Sequence, residues 1–146
     1  MILKLFKAVW FLSLLGFMLI FLYIYASSPV DIVLREGLDA LSTSRDVIFY
    51  STLITVSLVN SLVFVVRKLY SKQDEKFSIW FFGQIILINF FFCTVLGFIN
   101  VLNSGEKFAF ENLGVVIYGS IVLIVLWALA WPIFLLSQKF MGKQAI

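Results

Sequence analysis

The chain has 146 residues, of which 62% are hydrophobic, 18% aromatic and 13% charged, and its formal net charge is +3. A soluble domain averages about half apolar and about a quarter charged residues, and it could not bury this much apolar surface. The composition therefore excludes a soluble globular domain and indicates a protein whose solvent is lipid.

Four apolar runs are each close to the roughly 20 residues that a helix needs to cross about 30 Å of hydrocarbon. They cover residues 8–26, 46–66, 78–102 and 113–137. Strands of a membrane barrel need only about 9 to 11 residues and alternate in polarity, which these runs do not. The sequence therefore predicts an all-α, polytopic membrane protein, with one domain over residues 1–146 and four transmembrane helices in an antiparallel bundle.

The first run also has some features of a secretory signal peptide. It follows Lys4 and Lys7, and Ala26-Ser27-Ser28 after it resembles a cleavage site. The apolar stretch of such a signal is only about 7 to 15 residues, which is shorter than this run. We therefore expect a retained signal anchor that forms the first span.

The connection between the first two spans predicts a short amphipathic helix over residues 29–41. Ser28 suits an N-cap, Pro29 suits the first helical position, and Asp31 suits the positive end of the helix dipole. Only Ile32, an apolar residue on the polar side of this helix, breaks the amphipathic pattern. That face consists of Val30, Val33, Leu34, Leu38 and Leu41. Two interpretations stay open, since the helix would either lie in the membrane interface or dock another subunit.

The distribution of lysine and arginine predicts the orientation of the spans. Eight of these residues fall at one side of the predicted bundle and three at the other. The eight are Lys4, Lys7, Arg67, Lys68, Lys72, Lys76, Lys139 and Lys143, and the three are Arg35, Arg45 and Lys107. By the positive-inside rule, the amino and carboxyl termini are both expected in the cytoplasm. The expected location is a bacterial inner (plasma) membrane.

Ionisable side chains are absent from the middle of every predicted span, and the chain contains no histidine. Charged groups held in hydrocarbon usually mark ion or substrate pathways, and histidine is the commonest metal ligand. Cys93, the sole cysteine, lies within the third span and is expected to act as a small buried hydrophobe. We therefore expect no catalytic residue, no metal site, no cofactor and no nucleic-acid partner.

Neutral polar residues form a stripe on the third span. Asn89, Cys93 and Asn100 lie within about 40° on one helix face, and Asn60 of the second span should lie at a depth similar to that of Asn89. These residues either hydrogen-bond between helices and set their register, or line a path for a small solute. Gln84 points away from the stripe, which predicts that it contacts another helix or another subunit.

Two functions are compatible with these features. The first is a non-catalytic small integral membrane subunit, or an accessory or scaffold component, of a larger membrane protein complex. The alternative is a homo-oligomeric channel or carrier for a small neutral or weakly charged solute. The expected partners are the lipid bilayer together with other membrane protein subunits or further copies of the chain.

Overall fold

A computed structural model describes residues 1–35, 41–70, 75–105 and 110–141 of the chain. Within these ranges the elements are α1 (Ile2–Ser27), β1 (Asp31–Arg35), β2 (Leu41–Ser44), α2 (Arg45–Tyr70), α3 (Glu75–Asn103) and α4 (Phe110–Met141). Each helix is long and apolar enough to cross a membrane. The four predicted spans are therefore confirmed, and the chain is a mostly helical integral membrane protein.

The most extensive helix packing is between α1 and α3, which run in the same direction. Ser13 of α1 contacts Asn89 of α3, and fourteen residues further along, Ser27 contacts Asn100. The helix α2 packs antiparallel against both of them. The sequence left the position of the first span open, and side-chain packing places that span along α3.

The helix α4 packs antiparallel against α3 and also reaches α1. The contact with α1 is a stacked pair of rings, Phe6 and Trp127, whose centroids lie 6.4 Å apart. We call the end of the bundle at which α1 begins and α4 ends the terminal end, and the opposite end, where β1 and β2 lie, the hairpin end.

The amphipathic helix predicted over residues 29–41 is wrong, and so is the description of the fold as entirely helical. Residues on both sides of the undescribed range 36–40 form an antiparallel pair of strands, in which Ile32 lies opposite Thr43 and Val33 opposite Ser42. Ser28, expected to cap the outer helix, instead ends α1. Its backbone N–H and its hydroxyl both donate to the carbonyl oxygen of Ile24, at 2.9 and 2.7 Å.

Tertiary contacts explain why this segment is a hairpin. Ile32, the residue that broke the helical pattern, is fully buried and packs in the apolar core at the hairpin end. The Asn103 side chain at the end of α3 accepts a hydrogen bond from Val33 N at 2.8 Å and donates one to Val33 O at 3.0 Å. The amide thus pairs with β1 as a neighbouring strand would. An isolated helix shorter than about 12 to 15 residues is marginal, so these contacts outweigh the local helical signal.

Candidate functional site

A buried hydrogen-bonded group joins α1, α2 and α3 in the middle of the bundle. We call it the polar knot, and it consists of Trp10, Ser13, Asn60 and Asn89. Asn89 is 0% exposed and Asn60 is 5% exposed. Asn60 Nδ2 donates to Asn89 Oδ1 at 2.7 Å, and Asn89 Nδ2 donates back to Asn60 Oδ1 at 3.1 Å. The structure therefore brings together the two asparagines that the sequence places at similar depth.

The polar knot uses every amide N–H that its two asparagines offer. The second bond from Asn60 Nδ2 goes to the Val56 carbonyl at 2.9 Å, and the second bond from Asn89 Nδ2 goes to Ser13 Oγ at 3.0 Å. The Trp10 indole donates to Asn60 Oδ1 at 2.9 Å. Because all four amide hydrogens are paired, the knot holds the helices together without leaving a donor for a solute.

The other two members of the predicted stripe lie apart from the knot. Cys93 is half-buried and packs against the apolar core at the hairpin end. Asn100 lies eleven residues after Asn89, about 16 Å further along α3 at the rise of an α-helix. Its Oδ1 atom is 3.5 Å from the Ser27 hydroxyl, which donates to it. The stripe is thus divided, because Asn89 belongs to the polar knot and Asn100 contacts Ser27 near the hairpin end.

A second polar contact joins α3 to α4 near the terminal end. We call it the indole clasp, and it consists of Trp80, Gly83 and Trp127. Trp80 Nε1 donates to the Trp127 carbonyl at 2.7 Å, and Trp127 Nε1 donates to the Trp80 carbonyl at 2.8 Å. A Cβ atom added to Gly83 would lie 2.5 to 2.7 Å from the Trp127 ring. Only glycine therefore lets the indole lie this close to α3.

The indole clasp could not be predicted from spacing, because its acceptors are main-chain carbonyls. Gly83 was the one available signal, since it is a residue without a side chain one turn after Trp80 in an otherwise bulky helix. Rings of Phe77, Trp131 and Phe134 extend the contact toward the terminal end, with centroids 5.2 to 5.6 Å apart. The α3 and α4 seam is therefore built mainly from aromatic side chains.

Two apolar grooves flank Trp127. One, between α1, α3 and α4, has a volume of about 270 Å³ and is lined by Leu5, Phe6, Val9, Gly83, Ile86, Leu87 and Trp127. The other, between α3 and α4, has a volume of about 260 Å³ and includes Trp80, Ala130 and Trp131 in its lining. Both grooves open on the outer surface of the helix bundle.

Gln84 lies on α3 one residue after Gly83. Its Oε1 atom is enclosed by the chain, and no described residue donates a hydrogen bond to it. An unpaired buried carbonyl costs free energy. The Gln84 side chain was expected to contact another helix or another subunit, and its oxygen is covered by residues of this chain.

The residues predicted to form an outer docking face do not share one face. Val30 and Leu41 are 70% and 56% exposed, whereas Val33 and Leu34 are half-buried. Leu34 packs against the core at the hairpin end. Leu38 falls outside the described residues.

Charged and aromatic side chains meet where α2 begins. The Arg45 guanidinium lies 4.5 Å from the centre of the Tyr25 ring, and Tyr25 donates a hydrogen bond to Asp46 at 3.0 Å. Arg45 also donates to the Ser28 carbonyl at 3.2 Å. These contacts tie the end of α1 to the start of α2 at the hairpin end.

The described residues contain no group of three or more histidine, cysteine, aspartate or glutamate side chains that could hold a metal ion. Comparisons with protein-family models, with curated proteins and with solved structures found no match for this chain. The arguments about function therefore depend on the polar knot, the indole clasp and the surfaces around them.

Proposed function

We propose that this chain is a non-catalytic integral membrane subunit, or an accessory or scaffold component, of a larger membrane protein complex. The observation that carries the proposal is the closed polar knot. The most polar site described within the membrane uses its donors to join three helices of the same chain. Such a site is suited to holding helices in register rather than to reacting with a substrate.

The surface of α4 supports the same proposal. Ser120 is the one buried residue of α4 among those whose side chains are described, so most of the surface of this helix is not covered by the other three. The grooves on the two sides of Trp127 are apolar depressions in that surface. Because helices in lipid associate through close packing, a transmembrane helix of another subunit would gain contact area by filling them.

The burial of the polar knot also bears on the alternative of a channel or carrier. A residue that lines a path must be reached by the solute, and Asn89 is 0% exposed while Asn60 is 5% exposed. Within one chain, both amides face each other instead of open space. This favours the accessory subunit over the solute path.

The proposal includes an orientation in which the terminal end faces the cytoplasm of a bacterium and the hairpin end faces outward. Lys4, Lys7, Lys76 and Lys139 lie at the terminal end, as the positive-inside rule requires of a cytoplasmic side. A membrane-impermeant maleimide applied to intact cells should label Val30→Cys and leave Lys139→Cys unlabelled, both in a Cys93→Ala background. The reverse pattern would overturn this orientation.

Site-specific photocrosslinking in native membranes tests the proposed subunit role. A photoreactive residue at Val9, in the groove beside Trp127, should crosslink one defined membrane protein that also co-purifies in stoichiometric amount. The matched control is Leu58, which is 66% exposed on α2 away from the groove and should give little of that product. Crosslinking of Val9 to lipid alone, with purification of a single chain, would contradict the proposal.

A further inference from the structure

A cleft at the terminal end lies between α1, α2 and α3 and is separate from both grooves beside Trp127. Its volume is about 240 Å³, and its lining includes Lys7 of α1, Val66 of α2 and Ser78 of α3. The side chains of Val63 and Phe82, which are buried in the bundle, line it as well. The cleft therefore combines a cationic group with an apolar wall.

Lys7 lacks an anionic partner among the described residues. The salt bridge described between Arg45 and Asp46 lies at the hairpin end, far from Lys7. Lys7 is half-buried and lies one turn before Trp10, which belongs to the polar knot. Glu75, at the start of α3, is exposed and makes no salt bridge with it. A lysine near the end of a span can extend its ammonium to the membrane interface, where anionic headgroups are available.

Lysine side chains make the electrostatic potential at this end more positive. Lys4 and Lys76 lie there together with Lys7, and Glu75 is the described carboxylate at the start of α3. The helix dipoles add little, because the amino-terminal ends of α1 and α3 lie at the same end as the carboxyl-terminal ends of α2 and α4. An anion in the cleft would therefore be attracted mainly by the Lys7 ammonium.

We propose that this cleft binds the headgroup of an anionic phospholipid, with the phosphate beside Lys7 and the first part of an acyl chain against the apolar wall. The lysine selects negative charge. Val66 and Phe81 line the same cleft and favour a ligand with an apolar portion, which a free anion lacks. The inference does not depend on the proposed subunit role.

Native mass spectrometry from nanodiscs tests this site. Wild-type protein in phosphatidylcholine discs that contain a minor fraction of phosphatidylglycerol should retain one phosphatidylglycerol molecule in preference to bulk lipid. Lys7→Gln should weaken that retention about fivefold, as expected for one lysine that faces an anionic lipid. The control is Lys4→Gln, which removes the same charge from an exposed position one turn away and should keep most of the retention.

A second pair of variants keeps the lysine in place. Val66→Glu puts a carboxylate into the cleft as an internal partner for Lys7 and should displace the lipid, whereas Val65→Glu at the exposed neighbouring position should not. Unchanged retention in Lys7→Gln or in Val66→Glu would overturn the site. If Lys4→Gln lost as much phosphatidylglycerol as Lys7→Gln, the lipid would be attracted by the overall positive charge of this end, which would also overturn the site. Displacement of the lipid by inorganic phosphate would assign the cleft to a soluble anion instead.

Discussion

The polar knot joins α1, α2 and α3 through bonds between side chains, whereas the indole clasp joins α3 to α4 through bonds from side chains to main-chain carbonyls. The knot is enclosed in the bundle and pairs all its amide hydrogens internally. The clasp lies at the edge, between two open grooves. The polar knot depends on the identity of its polar side chains, whereas the indole clasp depends on how closely the backbones of α3 and α4 approach.

This difference predicts how each contact fails. In the knot, loss of one asparagine removes hydrogen bonds and leaves the helices close together. In the clasp, an added methyl group at Gly83 forces the Trp127 ring away, because the space is already filled. Steric overlap in a packed seam usually costs more free energy than a hydrogen bond within a membrane. The knot should therefore tolerate substitution better than the clasp does.

Gly83→Ala should have the largest effect. The added Cβ overlaps the Trp127 ring, and we expect the free energy of unfolding to fall by about 2 to 3 kcal/mol, as overpacked sites commonly show. Unfolding by SDS in mixed micelles measures it. The matched control is Gly97→Ala on the same helix, where no atom lies within 4 Å of the added Cβ. Equal stability of the two variants would contradict the close approach at the clasp.

Asn89→Leu should lower the free energy of unfolding by about 1 to 2 kcal/mol, since it removes two bonds with Asn60 and one with Ser13. The loss is limited because Asn60 keeps its bonds with Trp10 and Val56. The same SDS titration measures the change. Asn100→Leu is the control on the same helix. It removes an amide whose one side-chain hydrogen bond, with Ser27, is long at 3.5 Å, and it should lower the free energy of unfolding by less. A larger loss at Asn100 would argue against the knot as the main polar contact of α3.

Trp127→Phe should lower the free energy of unfolding by about 1 kcal/mol, because it removes the hydrogen bond to the Trp80 carbonyl and the part of the indole that lies against Gly83, at a half-buried position. Tyr118→Phe is the control on the same helix, at a residue that is 73% exposed. Thermal unfolding in detergent suffices for this comparison. Equal stability of the two variants would show that neither this hydrogen bond nor the indole contact at Gly83 stabilises the fold.

The smallest expected effect is the coupling between the two contacts. Asn89→Leu combined with Trp127→Phe should give the sum of the single changes within about 0.5 kcal/mol, since the two sites share no partner. Asn60→Leu combined with Asn89→Leu is the positive control, because these amides contact each other directly and their losses should not add. Strong coupling between knot and clasp would mean that α4 helps to set the register of the other three helices.

Much of the candidate site could be inferred from residue types. Asn60 and Asn89 are conspicuous in apolar spans, and antiparallel helices of known length place them at one depth. Trp10 and Ser13 could not be added in this way, because their contacts with the asparagines depend on where α1 packs. Asn103 was missed for a similar reason, since its amide pairs with a strand that no local signal indicated.

The sequence by itself determined the four membrane spans, because uninterrupted apolar length leaves a chain in lipid no alternative to helices that pair their own backbone groups. Tertiary structure decided the parallel packing of α1 on α3, the close approach at Gly83 and the pairing of β1 with β2. Each of these depends on contacts between residues distant in sequence. In the hairpin, the burial of Ile32 and the amide of Asn103 outweighed a cap and an apolar stripe that favoured a helix.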